Sequence, residues 1–360
     1  MSDTQKTIAE RYGWLSFPLL IFATSRALLY AFAKAGPLFG KPVGVDTGLS
    51  PAFSHAYAAL AALGHGEISD FVRIARNGYT GAADIAIPPV VPYLGKCLGA
   101  ALGSVELGLI LLSFAACAMG FSGAYRLFMK LRDAETARTG VVLLAAFPLS
   151  YHLSDGGSLA CLLAFSTWGV LNAVQGSYIL SAAILSVGVL AHPACALFAF
   201  ATIPLASQGE RPQPSWGWRR LWVVVAPIVV GLIWFAISAS WFGSLGSGLR
   251  AALASRPELE GAGWKAVVTA LGVVLSVGGV LLLPMRGLWG LALVAGSLLY
   301  AALSGWNTFS SFALAACWPA FLGLGAWLAN RQNLRAMVVA ALCTHQGLLL
   351  YCFTHFLRSS

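Results

Sequence analysis

The 360-residue chain is 58% hydrophobic and only 10% charged, with a mean hydropathy of +0.78, whereas soluble domains carry roughly 25% charged residues. This composition excludes a water-soluble globular protein and points to a polytopic membrane protein. The formal charge of +9 would suggest nucleic acid in a soluble chain. Here the cations sit in loops beside apolar runs, where bilayer orientation and lipid headgroups account for them and no nucleic acid is expected.

A bilayer core of about 30 Å takes ~20 apolar residues per crossing, and backbone in lipid must satisfy its own hydrogen bonds, so the apolar runs are helices. The short alternating strands of a β-barrel are absent. In chain order the predicted helices cover 14–35, 105–129, 139–151, 157–173, 177–191, 193–207, 221–241, 266–284, 287–303, 308–328 and 334–357. That is about eleven, unless the pair meeting at His192-Pro193 is one kinked helix. Region 50–63 is weakly amphipathic and suits the interface, and 85–103 is expected to add a re-entrant or interfacial helix. The run Trp14–Ala33 is long enough to span, so it reads as an uncleaved anchor rather than a signal peptide. No soluble segment is long enough to fold by itself, so residues 1–360 form one membrane domain. Seven cysteines, mostly inside apolar runs and without a CxxC pair, read as packing residues rather than a disulfide framework or zinc site.

Lys6, Arg11, Lys130, Arg132, Arg138, Arg211, Arg219, Arg220, Arg286, Arg331 and Arg335 all fall on one side of this arrangement, which the positive-inside rule makes cytoplasmic. The first long loop, 36–104, is then external, together with 152–156, 242–265 and 304–307. External cations, among them Arg73, Arg76, Lys96, Arg250 and Arg256, need an anionic partner such as a membrane lipid headgroup or a substrate phosphate. No internal repeat supports a transporter of inverted halves.

The longest polar interruption runs from Ser69 to Pro92 and holds Asp70, Arg73, Arg76, Gly78-Tyr79, Pro89 and Pro92. SDFVRIARNGY has the pattern of a short amphipathic helix ended by glycine. A carboxylate at the membrane face can take a proton from a hydroxyl, and two cations one turn on can bind a phosphate. The plainer account is Asp–Arg pairing along the helix. Arg26 lies in the middle of an apolar run, at a cost of about 2.5–3.5 kcal/mol on insertion scales, so it should face a substrate phosphate or an internal acid such as Asp155. His192 beside Pro193 either lines a cavity or bonds a backbone group freed by the proline. Asp155 begins a tight Gly156-Gly157 turn, and Glu67 lies three residues before Asp70. Either could join Asp70 in holding a divalent cation or an acceptor hydroxyl. Trp241, Trp264 and Trp306 fall at membrane boundaries as an interfacial belt.

ISDFVRIARNGYTGAADIAIPPVVP (68–92) resembles the first luminal loop of the PIG-V-like mannosyltransferases of the GT-C superfamily, approximately WDxxxYxxIAxxGY followed by FFPLYP. Asp70 matches that family's essential aspartate, and Ile74-Ala75, Gly78-Tyr79, Pro89 and Pro92 are retained. Ser25-Arg26, AAFPLSYHLSDGGSLACLLAF (145–165) and SSFALAACWPAFLGLGAWL (310–328) resemble later family segments in consistent order. The chain departs at Ser69, Pro88, Asp155–Ser158, His192 and Ser311, where the family has tryptophan, an aromatic, Tyr-Ser-Glu-Ser, arginine and arginine.

The resemblance implies a GT-C-like bundle of about eleven transmembrane helices with short helices in the first external loop. It also implies sugar transfer, most simply of mannose, from a polyprenyl-phosphate donor to a glycan, lipid or protein acceptor, with inversion and Asp70 as general base. Arg73, Arg76, Tyr79, Arg26, Glu67, Asp155 and His192 are the candidate substrate-binding residues. The missing arginines keep open an inactive GT-C-like subunit that binds a lipid-linked glycan or a partner protein. The Ala-, Gly- and Leu-rich composition favours a bacterial plasma membrane over an endoplasmic reticulum.

Overall fold

A computed structural model describes residues 3–35, 49–63, 68–206, 218–241, 273–274, 276–283, 288–303 and 311–355. The elements among them are all helical. In order they are α1 (Asp3–Ala35), α2 (Pro51–Ala56), α3 (Ala58–Leu63), α4 (Ile68–Asn77), α5 (Val90–Leu102), α6 (Val105–Leu131), α7 (Ala134–Ala146), α8 (Leu159–Val174), α9 (Tyr178–Val189), α10 (Cys195–Ala206), α11 (Trp218–Trp241), α12 (Trp289–Leu303), α13 (Trp318–Leu328) and α14 (Gln332–His355). Three 3-10 segments, Ala82–Ala86, Pro148–Ser154 and Ser311–Ala316, complete the description. Predicted loop 242–265 with Arg250, Arg256 and Lys265, and the turn 304–307, lie outside the described residues.

Segments Trp14–Ala35, Val105–Leu131 and Arg220–Ser238 are long and apolar enough to cross a bilayer as single helices, and Pro148–Ser154 with α8 makes a broken span bent by 93°. The shorter apolar helices α5, α9, α10, α12 and α13 pack around them. The chain is an all-α, polytopic integral membrane protein. Its axis is α6, whose spanning window is 61% buried, against 17% for α1 and 22% for α11. Leu19, Leu20, Leu28 and Phe32 of α1 and Leu221, Leu232, Ile233 and Ile237 of α11 are exposed, which is the apolar surface a bilayer would cover.

Two segments expected as continuous helices are broken. Residues 139–151 split at Phe147, where α7 gives way to the Pro148–Ser154 turn. Phe147 adopts φ −59°, ψ 132°, because the residue before a proline is pushed out of the helical region. Side chains satisfy the carbonyls freed by the break. Ser150 Oγ donates to the Ala145 carbonyl (2.8 Å), and the Gln346 amide of α14 donates to the Phe147 carbonyl (3.1 Å). Residues 311–328 split at Cys317, the N-cap of α13, whose first turn accommodates Pro319. The break at His192-Pro193 separates α9 from α10, so these are two helices rather than one kinked rod.

The hairpin of α5 and α6 closes backbone to backbone. A Cβ on Gly108 of α6 would overlap the Gly95 carbonyl and the Gly99 amide of α5, and a Cβ on Gly99 would lie 2.6 Å from Val105 Cα. Gly95 and Gly99 thus form a small-xxx-small face of the kind that lets membrane helices approach closely. Gly108→Val is expected to lower stability by about 1–3 kcal/mol through overpacking. A lower melting temperature of the purified protein in detergent would register it.

The two ends of the bundle differ. At one, Arg335 of α14 pairs with Glu135 of α7 and donates to Thr139 Oγ1 (3.1 Å), and Arg220 of α11 lies over the Tyr178 ring of α9 (5.5 Å). At the other, the Val90 amide opening α5 donates to the Leu190 carbonyl closing α9 (2.9 Å). The described cations Arg220 and Arg335 therefore lie at the end away from the α5–α9 contact.

Candidate functional site

The site is built on α4. Ile68, Phe71, Val72, Ile74 and Ala75 are buried at the spacing of one helix face, leaving Asp70, Arg73 and Arg76 towards its polar side. The helix stops at Gly78, whose φ of +75° suits a residue without Cβ and whose amide donates to the Ile74 carbonyl (2.8 Å). Beneath its first turn lies the Asp155–Gly157 turn. Gly156 has φ +86°, and a Cβ there would overlap Ile68 Cδ1, so the break between Pro148–Ser154 and α8 seats directly against the start of α4.

Asp70 is 54% exposed in its side chain and its Oδ1 accepts from Arg73 Nη2 (3.0 Å). Its second oxygen has no partner among the described residues. The stronger hold on Arg73 comes from Asp84, which its guanidinium grips with both ends, Nη2 to Oδ1 at 2.7 Å and Nη1 to Oδ2 at 3.0 Å. Asp84 is 3% exposed and also accepts from the Thr80 amide (2.8 Å), the Gly81 amide (3.1 Å) and Thr80 Oγ1 (3.3 Å). Burial alone would raise the Asp84 carboxyl, but the Arg73 fork and the two amides outweigh it and hold it below the ordinary carboxylate value. The fork onto Asp84, opposed by partial burial and aided by Asp70, raises the Arg73 guanidinium further above its usual range. Arg73 is a fixed positive charge bridging an exposed carboxylate and a buried one.

The other candidates are placed as follows. Arg76 turns away from Asp70 and donates to Glu106 Oε1 of α6 (2.6 Å), which is 1% exposed in its side chain. Tyr79 donates its hydroxyl to the Ile87 carbonyl (2.8 Å), and its ring packs against Trp234 (5.3 Å), Trp241 (6.2 Å) and Tyr93 (6.4 Å). Burial, then the neighbouring Tyr93 and Asp84, raise the Tyr79 phenol, so it serves as a neutral strut joining the loop to α11. Arg26, 4% exposed, was expected to face a substrate phosphate or an acid such as Asp155. Instead it donates to the Ser150 carbonyl (2.8 Å), Ser154 Oγ (2.9 Å) and Ser150 Oγ (3.2 Å). The Pro148 break supplies those neutral oxygens, and Asp155 is taken by His152 Nδ1 (2.9 Å) and the Gly157 amide (2.8 Å). His192 is buried and its Nδ1 accepts from the Ala194 amide (3.1 Å), capping the turn before α10. Glu67 lies outside the described residues.

The fold thus brings Asp70 and Arg73 together, sends Arg76 elsewhere and buries Arg26, Asp155 and His192 among helix breaks. Asp84 and Glu106 are the residues that sequence reasoning did not place at this site. Both had a local signal, since Gly81-Ala-Ala-Asp84 and Ser104-Val-Glu106 place a carboxylate where it can cap a helical turn. A divalent cation held by Asp70 with Asp155 finds no cluster of ligands among the described residues. The Arg73 guanidinium lies between the Asp70 and Asp84 carboxylates, Asp155 is committed elsewhere, and no group of three or more His, Cys, Asp or Glu gathers among the described residues.

No family model and no curated protein sequence matches the chain. Solved structures do. The Archaeoglobus fulgidus oligosaccharyltransferase tethered to an acceptor peptide containing the NVT sequon aligns over 98% of this chain and 56% of its own, at 11% identity and a TM-score of 0.50. The archaeal oligosaccharyltransferase AglB from Archaeoglobus fulgidus, bound to an inhibitory peptide and a dolichol-phosphate, aligns over 98% and 57%, again at 11% identity and 0.50. This chain therefore spans little more than half the length of those proteins. At that identity the likeness establishes the fold alone: this chain shares the helical membrane fold of those oligosaccharyltransferase structures.

Proposed function

We propose that this protein is a GT-C-type membrane glycosyltransferase that moves a sugar, mannose on the sequence resemblance, from a polyprenyl-phosphate donor to a glycan, lipid or protein acceptor on the extracytoplasmic face. The observation that carries the reading is the exposed Asp70 carboxylate, with one oxygen uncommitted among the described residues beside the fixed Arg73 charge, on the first long loop of a GT-C fold. Asp70 takes the proton from the acceptor hydroxyl as that oxygen attacks the anomeric carbon. The sugar–phosphate bond breaks on the opposite side, the configuration inverts, and the phosphate leaves with the lipid. Arg73 offers a nearby positive charge to the negative charge growing there. The neighbours solved with dolichol-phosphate and with acceptor peptide support a lipid-linked donor and a glycan or peptide acceptor in general. The compartment consistent with composition is a bacterial plasma membrane.

A second reading, a GT-C-like subunit that binds a lipid-linked glycan or a protein without transferring sugar, is favoured by one observation. Both loop arginines carried by α4 are already paired with carboxylates. Transfer from radiolabelled polyprenyl-phosphate mannose, followed in membranes with and without the protein, separates the two. Protein-dependent labelling of an acceptor is expected. Binding of the donor without any labelling, across mannose and glucose donors alike, would establish the second reading instead.

A further inference from the structure

On the far side of α4 from Asp70 lies a cleft of about 610 Å³ between α2, α5 and the start of α6. It falls within the 300–1,000 Å³ typical of small-ligand sites. Arg76 sits six residues after Asp70, about 120° around the helix at 3.6 residues per turn, so Arg73 and Arg76 serve different places. Arg76 and Lys96 both line the cleft. Its carboxylate, Glu106, is turned into the wall, where it takes the Ser50 amide (3.1 Å), Ser104 Oγ (2.8 Å) and one arm of Arg76 (2.6 Å). The Arg76 side chain remains 44% exposed, with its other donors uncommitted among the described residues. Lys96 is exposed on α5 and pairs with no acid among them. Among the described lining residues, two cations against one committed carboxylate leave a net positive charge.

The rest of the surroundings is apolar. Tyr57 and Leu102 are 42% and 43% exposed at the cleft. Leu94 and Leu98 extend Leu102 into an exposed stripe at i, i+4, i+8 along α5, a row on one helix face. α5 has 13 residues, about 20 Å at 1.5 Å each, too short to cross the bilayer. It meets the first turn of the spanning helix α6 at Gly103-Ser104, which puts the cleft at headgroup level with the leucine stripe towards the chains.

We propose that this cleft is a structural site for an anionic phospholipid, its phosphodiester held by Arg76 and Lys96 and its acyl chains lying along Leu94, Leu98 and Leu102. The site is independent of the transferase reading, because none of its residues touches Asp70. The test is lipid retention by the purified full chain in native mass spectrometry, with phosphatidylglycerol, phosphatidylcholine and polyprenyl monophosphate each added at equal concentration. Wild-type protein is expected to keep phosphatidylglycerol in preference to phosphatidylcholine. Lys96→Glu is expected to weaken that retention by more than about five-fold, the effect of roughly one surface cation. The double change Arg76→Gln with Glu106→Gln, which removes the guanidinium without leaving Glu106 an unpaired charge, is expected to weaken it as well. Lys130→Glu, the same change of charge at the opposite end, should leave it intact. Equal retention of the two phospholipids, or full retention by Lys96→Glu, would overturn the proposal. Retention of polyprenyl monophosphate in place of phosphatidylglycerol would overturn it too, by making the cleft a substrate site.

Discussion

Asp70→Asn is expected to lower sugar transfer by about 10²- to 10⁴-fold, the usual contribution of a positioned general base. The substitution keeps an oxygen for Arg73 Nη2 and lies on an exposed side chain, so expression and melting temperature should match wild type. The loss should fall on kcat rather than on the KM for donor, because the amide fills the same space but cannot take the acceptor proton. Initial rates in membranes at matched expression measure it. An unchanged rate would show that Asp70 is not the base and would return the α4 surface to a binding role.

The second large effect is expected at Asp84, which touches no candidate substrate position and yet holds the loop together. Asp84→Asn removes the charge under Arg73 and turns an amide N–H₂ towards groups that are themselves donors, the Thr80 and Gly81 amides or the Arg73 fork. Removing the charge of buried Asp84 beneath an Arg73 side chain that is 37% exposed costs about 1–3 kcal/mol, less than for a fully buried pair because solvent reaches the guanidinium. We expect a lower melting temperature, faster proteolysis within 78–89 and reduced transfer, since Arg73 then swings wholly onto Asp70. The pH dependence has a definite sign. The folded Asp84 carboxyl titrates below its unfolded value of about 4, so its stabilisation is complete above that pH and is lost as pH falls through the lower folded value. Asp84→Asn should therefore flatten the acid limb of the wild-type melting profile below about pH 4. An unchanged profile would mean that the Arg73–Asp84 fork is not what holds the loop.

Gly108 gives a smaller effect by comparison, because its role is contact rather than charge. The α5–α6 approach that it permits fixes one wall of the cleft, so its substitution is also expected to disturb lipid retention at Lys96 indirectly.

Much of this molecule follows from local sequence. Apolar runs of spanning length, the glycine that ends α4, and the prolines that begin α5 and break 139–151 act within a few residues, through hydrogen bonds and steric limits that do not depend on distant partners. Asp70 was legible for the same reason, as a carboxylate in a polar stretch of an otherwise lipid-soluble chain. Which cation it would meet was not legible. Arg73 and Arg76 look equivalent in sequence, three and six residues after Asp70 on the same short helix. Only tertiary packing gives Asp84 to the first and Glu106 to the second, because the 82–86 turn and the start of α6 reach α4 on different sides. Arg26 shows the same division. Its burial was readable from hydropathy, but its partners come from a helix break 124 residues further on. The sequence by itself determined that these charges must be satisfied within the membrane protein, because lipid offers them no water. The tertiary structure alone decided by which groups, because a charge in a low-dielectric interior is neutralised by whatever the fold brings within hydrogen-bonding distance, and chain order does not encode that distance.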